Sequence, residues 1–182
     1  MPAPSFSVRR ARVKDVPAIQ RLMAPLVDER ILLGKDAAVL YAAVQEFRIA
    51  EADDGAVVGC GALHVMWDDL AEIRTVAVDT TWRRRRVGHA LVERLEADAV
   101  DLGVDKLFCL TFEVPFFVAH GYAEVGEGVV GPDVVAELAR SGDEGVAEFL
   151  DLARVKPNTL GNTRMLKVLR PQPVVSAPPP HV

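Results

Sequence analysis

The segment EIRTVAVDTTWRRRRVGHALVERL, residues 72–95, constrains the fold more than any other part of the chain. A run rich in Val and Thr reads as a strand, and a polar, strongly basic loop follows over 80–86. The loop opens straight into an amphipathic helix with Val87, Leu91, Leu95, Ala99 and Leu102 on one face. Gly103 stands where the end of that helix calls for a left-handed residue. Free backbone N–H groups and the positive end of the helix dipole make such a junction an anion site. Arg83, Arg84, Arg85 and Arg86 concentrate positive charge there, although the net charge of the chain is −5. A small phosphorylated ligand is the economical reading. A solvated charge run or a nucleic-acid patch is the alternative, and overall acidity argues against a general nucleic-acid binder.

Strand and helix signals alternate along the rest of the chain. A first strand is expected over 6–11. Asp15 then reads as the N-cap of a helix carrying Ile19, Leu22, Met23 and Leu26, which Pro25 should bend or end. A second helix begins at Asp36, with Val39, Leu40, Ala43, Val44 and Phe47 as its buried stripe. Strands over 48–52 and 57–65 flank Asp53-Asp54-Gly55, a hairpin signal. A fourth strand runs over 71–78, a fifth over 106–111 and a sixth over 122–125, after a short helix over 115–120. The stretch 132–162 reads as one or two helices plus an extended piece, and 165–169 as a closing strand. The pattern predicts an α/β fold with a mixed central sheet flanked by helices.

At 182 residues, half of them hydrophobic, the chain is one domain's worth. A single domain over 1–170 is expected, followed by a Pro-rich, disordered tail over 171–182 (PQPVVSAPPPHV). No apolar run approaches the ~20 residues of a spanning helix, and the first residues lack the apolar centre of a signal peptide. No membrane association is expected. Cys60 and Cys109 lie in apolar strand-like runs, as core thiols of a reduced, cytoplasmic protein. Cys60 and His64 share a strand face, but no third group completes a nucleophilic site. His89 and His120 have no ligand spacing, so no metal is expected.

The string Arg83-x-x-Arg86-x-Gly88, after a strand and opening a helix, resembles the acyl-CoA pyrophosphate loop of the GNAT N-acetyltransferases, whose usual pattern is Arg/Gln-x-x-Gly-x-Gly/Ala. The chain departs at Arg86, where the family has glycine, at a cost of about 1 kcal/mol if φ is positive. The segments PLVDERILLGKD, GCGALHVMWDDLAEIRTVAV, KLFCLTFEVPFFVAHGY and VKPNTLGNTRMLKVL resemble the compact N-acetylglutamate synthases within that family.

The resemblance implies the GNAT fold and transfer of acetyl from acetyl-CoA to the α-amine of glutamate, or glutamine, as the first step of arginine synthesis. It implies a coenzyme site made by Arg83, Arg84, Arg85, Arg86, Val87, Gly88 and His89. The backbone of Val76, Ala77 and Val78 adds to it, beside a bulge where the fourth and fifth strands splay. Glu72 matches the family's general base, and its alternative is an exposed partner for Arg74. Thr111 matches a hydroxyl near the coenzyme sulfur, while Phe117 stands where many relatives use a tyrosine. Some relatives hold glutamate with arginines at positions matching Ala24 and Gly161. Lys35, Arg74, Lys156 and Arg164 are the candidate replacements. Another amine acceptor, or a non-catalytic acyl-CoA-binding module, stays open at this point. Elements of this size often form a homodimer, but the sequence shows no interface.

Overall fold

The computed structural model describes residues 5–126, 128–150 and 161–169. Lys156 and the Pro-rich tail lie outside them. Seven strands form one sheet in the order β1-β2-β3-β4-β5-β7-β6. They are β1 (Phe6–Arg10), β2 (Phe47–Ala52), β3 (Val57–Val65), β4 (Leu70–Val78), β5 (Lys106–Thr111), β6 (Ala123–Glu124) and β7 (Thr163–Val168). Only β4 and β5 pair in parallel. The helices are α1 (Val16–Asp28), α2 (Ala37–Ala42), α3 (Val87–Leu102), α4 (Val114–Ala119), α5 (Pro132–Leu138) and α6 (Glu144–Phe149). This is the predicted mixed α/β sheet with helices against it.

The two faces carry separate cores. Leu22, Met23 and Ile19 of α1 pack with Ile49, Cys60, Ala62 and Ala77. On the other face Val92, Leu95 and Ala99 of α3 pack with Leu63, Ile73, Leu107 and Cys109. A third cluster places Val146 and Phe149 of α6 on Leu70 and Phe108.

Several local expectations give way to tertiary context. Pro25 does not end α1, which runs on to Asp28, because the apolar face of the helix is held in the core and offsets the lost hydrogen bond and the ring's crowding of the preceding turn. Asp15 makes no side-chain cap. Its buried carboxylate instead accepts Arg12 N–H at 2.7 Å and Arg9 Nη1 at 2.7 Å. The second helix is short: it stops at Ala42, a 3-10 turn follows over Val44–Glu46, and Phe47 opens β2 as a core residue. Val39 and Leu102, expected on buried stripes, are exposed. The sixth strand is only a two-residue pairing.

Two features of β4 shape the site. Cys60 pairs with Ala77 and Ala62 with Arg74, so Thr75 and Val76 together face Gly61 in a bulge. Thr75 takes φ +60°, an unusual setting for a β-branched residue, and bulges concentrate beside active sites. The extra residue inverts the side-chain alternation. Ile73 and Ala77, four apart, pack on opposite faces of the sheet. Second, β4 and β5 pair only at Leu70–Lys106, Ala71–Leu107 and Glu72–Phe108. Beyond Glu72 the two strands part.

Candidate active site

Glu72 is the last β4 residue before the strands part, and it is only 4% exposed. Its Oε2 is buried with no hydrogen-bond donor among the described residues. Burial pushes this carboxyl up to about 7, against the opposing pull of Arg74, His64 and Lys35. A carboxylate so placed can take a proton near neutrality.

Charges surround it. Arg74 lies on the same face of β4, with Nη1 3.7 Å from Glu72 Oε2. The same Nη1 donates to Asp143 Oδ1 at 2.8 Å, and Nη2 to Glu46 Oε2 at 3.2 Å. His64, opposite Glu72 in the β3–β4 pair, donates from Nδ1 to Glu46 Oε1 at 2.9 Å. Asp143 also caps α6 by accepting Val146 N–H at 2.9 Å, and Arg74 helps hold its carboxyl down at about 2 despite burial.

Glu72, Arg74 and Thr75 form the floor of an open cleft of about 50 Å³. Its walls are Ile31, Leu32, Leu33 and Lys35 from the α1–α2 loop, Leu110 of β5, Gly145 and Glu148 of α6, and Asn162. Asn162 Nδ2 donates to Glu148 Oε1 at 3.0 Å. Lys35 is a half-buried cation in this wall.

The other candidates separate. Arg164 is not in this cleft. It donates to the carbonyls of Phe149 and Glu148 at 2.6 and 3.2 Å, closing the C-terminal end of α6. Arg74 lines the cleft, but its guanidinium is already committed to carboxylates of this chain. Thr111 lies on the face of β5 opposite Leu110, 8% exposed, and its hydroxyl accepts Glu113 N–H at 2.9 Å at the start of α4. Phe117 is buried against Tyr122. Cys60 donates its S–H to the Thr75 carbonyl at 3.6 Å, and burial pushes its thiol up to about 12. It is no nucleophile. No group of three or more His, Cys, Asp or Glu that could hold a metal occurs among the described residues.

The residues expected to hold a phosphorylated coenzyme form one rim. Arg83, Arg84, Arg85 and Arg86 are exposed, and Arg85 lies 4.9 Å over the Trp82 ring. Arg84 and Arg86 take φ +63° and +62°, and at Arg86 the loop thus demands left-handed backbone where the family has glycine. The first regular bond of α3 runs from Ala90 N–H to the Arg86 carbonyl. The amides of Val87, Gly88 and His89 thus lie at the free N-terminal end of the helix. Val87 is itself a core side chain and offers only its backbone. His89 Nδ1 lies 2.9 Å from His120 Nε2, with both rings against Phe116. β4 stays paired with β3 at Ala77 and Val78, but its edge toward β5 is unpaired beyond Glu72, so the stretch of Val76, Ala77 and Val78 leaves backbone groups on that side for an extended ligand arm. These features fit acetyl-CoA. Arg86→Gly should relieve the left-handed strain and raise stability by about 1 kcal/mol, read as a higher thermal midpoint. A fall would mean that the arginine side chain matters more than its backbone.

Sequence reasoning missed Glu46, Asp143, Gly145, Glu148 and Asn162. A signal existed for one of them: Asp143 before Glu144 and an apolar run reads as a helix start.

Comparison with known proteins agrees. Residues 21–126 match the Acetyltransferase (GNAT) family. An amino-acid acetyltransferase of Mycobacterium tuberculosis is 56% identical over 89% of this chain and 94% of its own length. The crystal structure of Rv2747 from Mycobacterium tuberculosis in complex with CoA and NLQ superposes with TM-score 0.85 at 54% identity, covering 90% of this chain and 99% of that one. The N-acetylglutamate synthase of Neisseria gonorrhoeae, complexed with coenzyme A and N-acetyl-glutamate, shares the fold at TM-score 0.72 and 23% identity, over 92% of this chain and 36% of that one. The basic loop, the parted strands and these likenesses agree, and the chain belongs to the GNAT acetyltransferase family.

Proposed function

We propose that this enzyme transfers acetyl from acetyl-CoA to the α-amine of free glutamate or glutamine, as the entry step of arginine synthesis in the cytoplasm. One observation carries the reading. Glu72, a buried carboxyl pushed up to about 7, stands where the parted strands open onto a cleft. The coenzyme supplies an activated acyl group, and the chain's own residues do the rest. Glu72 accepts the proton that the α-ammonium must lose before the nitrogen can attack. Backbone N–H groups of β4 beyond the bulge receive the acetyl oxygen as it gains charge. Thr111, whose hydroxyl accepts from Glu113 and keeps its own proton to donate, serves the sulfur from the β5 side. Lys35 holds a substrate carboxylate, because Arg74 is already engaged.

The test is a panel of amines at fixed acetyl-CoA, read as thiol release. Glutamate and glutamine should lead. Their α-carboxamides should fall by about 10- to 100-fold, the worth of one charge-assisted hydrogen bond of about 1.5–3 kcal/mol. Lys35→Ala should raise the amino-acid KM by about 10-fold and leave the acetyl-CoA KM unchanged. A polyamine or peptide N-terminus outrunning every free amino acid would refute the acceptor assignment.

A further inference from the structure

The charge cluster behind Glu72 has an arrangement that substrate binding does not explain. Arg74 is 11% exposed in its side chain, yet it meets carboxylates from three separate elements. Asp143 at the cap of α6 takes its shortest contact, at 2.8 Å, Glu46 in the turn before β2 the next, and Glu72 the longest. The first two are hydrogen bonds. The third, at 3.7 Å, is charge alone, so the guanidinium faces Glu72 without occupying its lone pairs.

The backbone of α6 closes over this cluster. A Cβ on Gly145 would lie 2.8 Å from Arg74 Nη1, 3.0 Å from Asp143 Oδ1 and 3.1 Å from Glu72 Oε2. Only glycine lets the helix come this close. α6 also supplies Gly145 and Glu148 to the cleft wall. The element that shapes the acceptor pocket is therefore pinned, through Asp143, to the guanidinium beside the base.

We infer that Arg74 is a positioning residue: clamped by Asp143 and Glu46, it sets the charge beside Glu72 and ties that setting to the docking of α6. It acts through Glu72, its own donors being held by Asp143 and Glu46. This rests on Glu72 being the general base. Other groups facing Glu72 are His64 from β3, Lys35 from the α1–α2 loop, Asp143 from α6 and the buried thiol of Cys109 from β5. Arg74 is the cation nearest to it, and its charge opposes the effect of burial. Losing it must move the ionisation of Glu72 upward.

The experiment is a pH profile of kcat, with both KM values, for wild type, Arg74→Met, Arg74→Lys and Glu72→Gln in the full chain. Wild-type kcat should fall on the acid side of neutrality as Glu72 takes up a proton. In Arg74→Met that limb should move upward by about one pH unit or more, lowering kcat about 10-fold at neutral pH. The rate should recover at alkaline pH, and the amino-acid KM should stay within about 3-fold of wild type. Arg74→Lys, which keeps the charge, should leave the limb close to its wild-type position. If Arg74→Met does not fold, Arg74→Gln gives the same readout, because it keeps a polar donor toward Asp143 and Glu46 and removes the charge. An unmoved limb with a raised amino-acid KM overturns the inference and makes Arg74 a substrate ligand. An unmoved limb with only a lower thermal midpoint also overturns it, leaving a structural clamp. Failure of the base assignment looks different: Glu72→Gln would then keep full kcat.

Discussion

Glu72→Gln lowers kcat by about 10²–10⁴-fold, the usual worth of general-base assistance, while coenzyme affinity measured by titration stays at the wild-type value. Glutamine keeps the shape of the side chain and removes its capacity to accept a proton. The acid limb of the profile disappears with it. The same substitution makes the protein more stable above neutrality, and the sign follows from linkage. In the unfolded chain the carboxyl ionises near its ordinary value of 4.5, whereas in the fold it ionises at about 7. Folding therefore disfavours the ionised form, and the penalty grows between those two values and stays constant above them. Removing the charge recovers about 1–3 kcal/mol at alkaline pH, seen as a higher thermal midpoint. A surface partner of Arg74 would behave in the opposite way, with kcat intact and stability unchanged or reduced by no more than ~1 kcal/mol. Loss of rate together with gain of stability is the mark of a group buried for its chemistry.

Asp98→Ala destabilises the fold by about 3–5 kcal/mol, the cost of leaving a buried charge without its partner. Arg48 is 5% exposed on β2 and donates from Nη2 to Asp98 Oδ1 at 2.7 Å, with Nε on the other carboxylate oxygen. Asp98 belongs to α3, and Arg94 one turn earlier also reaches it, at 2.9 Å. The pair pins α3 across the sheet and so fixes where its N-terminal end, with the basic loop, sits. The thermal midpoint should fall by about 6–20 °C for a chain of this length. Turnover well below the transition should be nearly unchanged, because neither residue lines the cleft. Replacing both Arg48 and Asp98 by apolar residues of similar volume should recover most of the loss, which separates a buried-charge penalty from a packing defect.

The sheet, the long helix and the basic loop were legible because each rests on local chemistry. Apolar runs about an Asp-Asp-Gly turn marked β3, a run rich in Val and Thr marked β4, periodicity marked α3, and four arginines at a helix start marked an anion site. The left-handed backbone at Arg86 was legible as a departure from a glycine pattern. Glu72 stood out because a carboxylate is rare in an apolar strand. What surrounds Glu72 was not legible. Glu46, His64, Arg74 and Asp143 come from four elements spread over almost a hundred residues, and tertiary packing alone brings them together. Arg164 shows the same limit from the other side. As a charge near the last strand it resembled a substrate ligand, but its donors go to the carbonyls ending α6. Pro25, Asp15 and Phe47 misled because local preference yields when a neighbour offers a better use of the same group.

The parting of β4 and β5 also makes the sheet a partition with a window in it. Glu72 and the amino-acid cleft lie in the room bounded by the α1–α2 loop and α6, while α3 and α4 pack in the room behind. On the proposed assignment, donor and acceptor approach from different sides and meet at the opening. The walls proposed to choose the acceptor, 31–35 and α6, share no side chain with the basic loop proposed to hold phosphate. Acceptor preference can therefore drift, by substitution in those walls, without any renegotiation of how the donor is held.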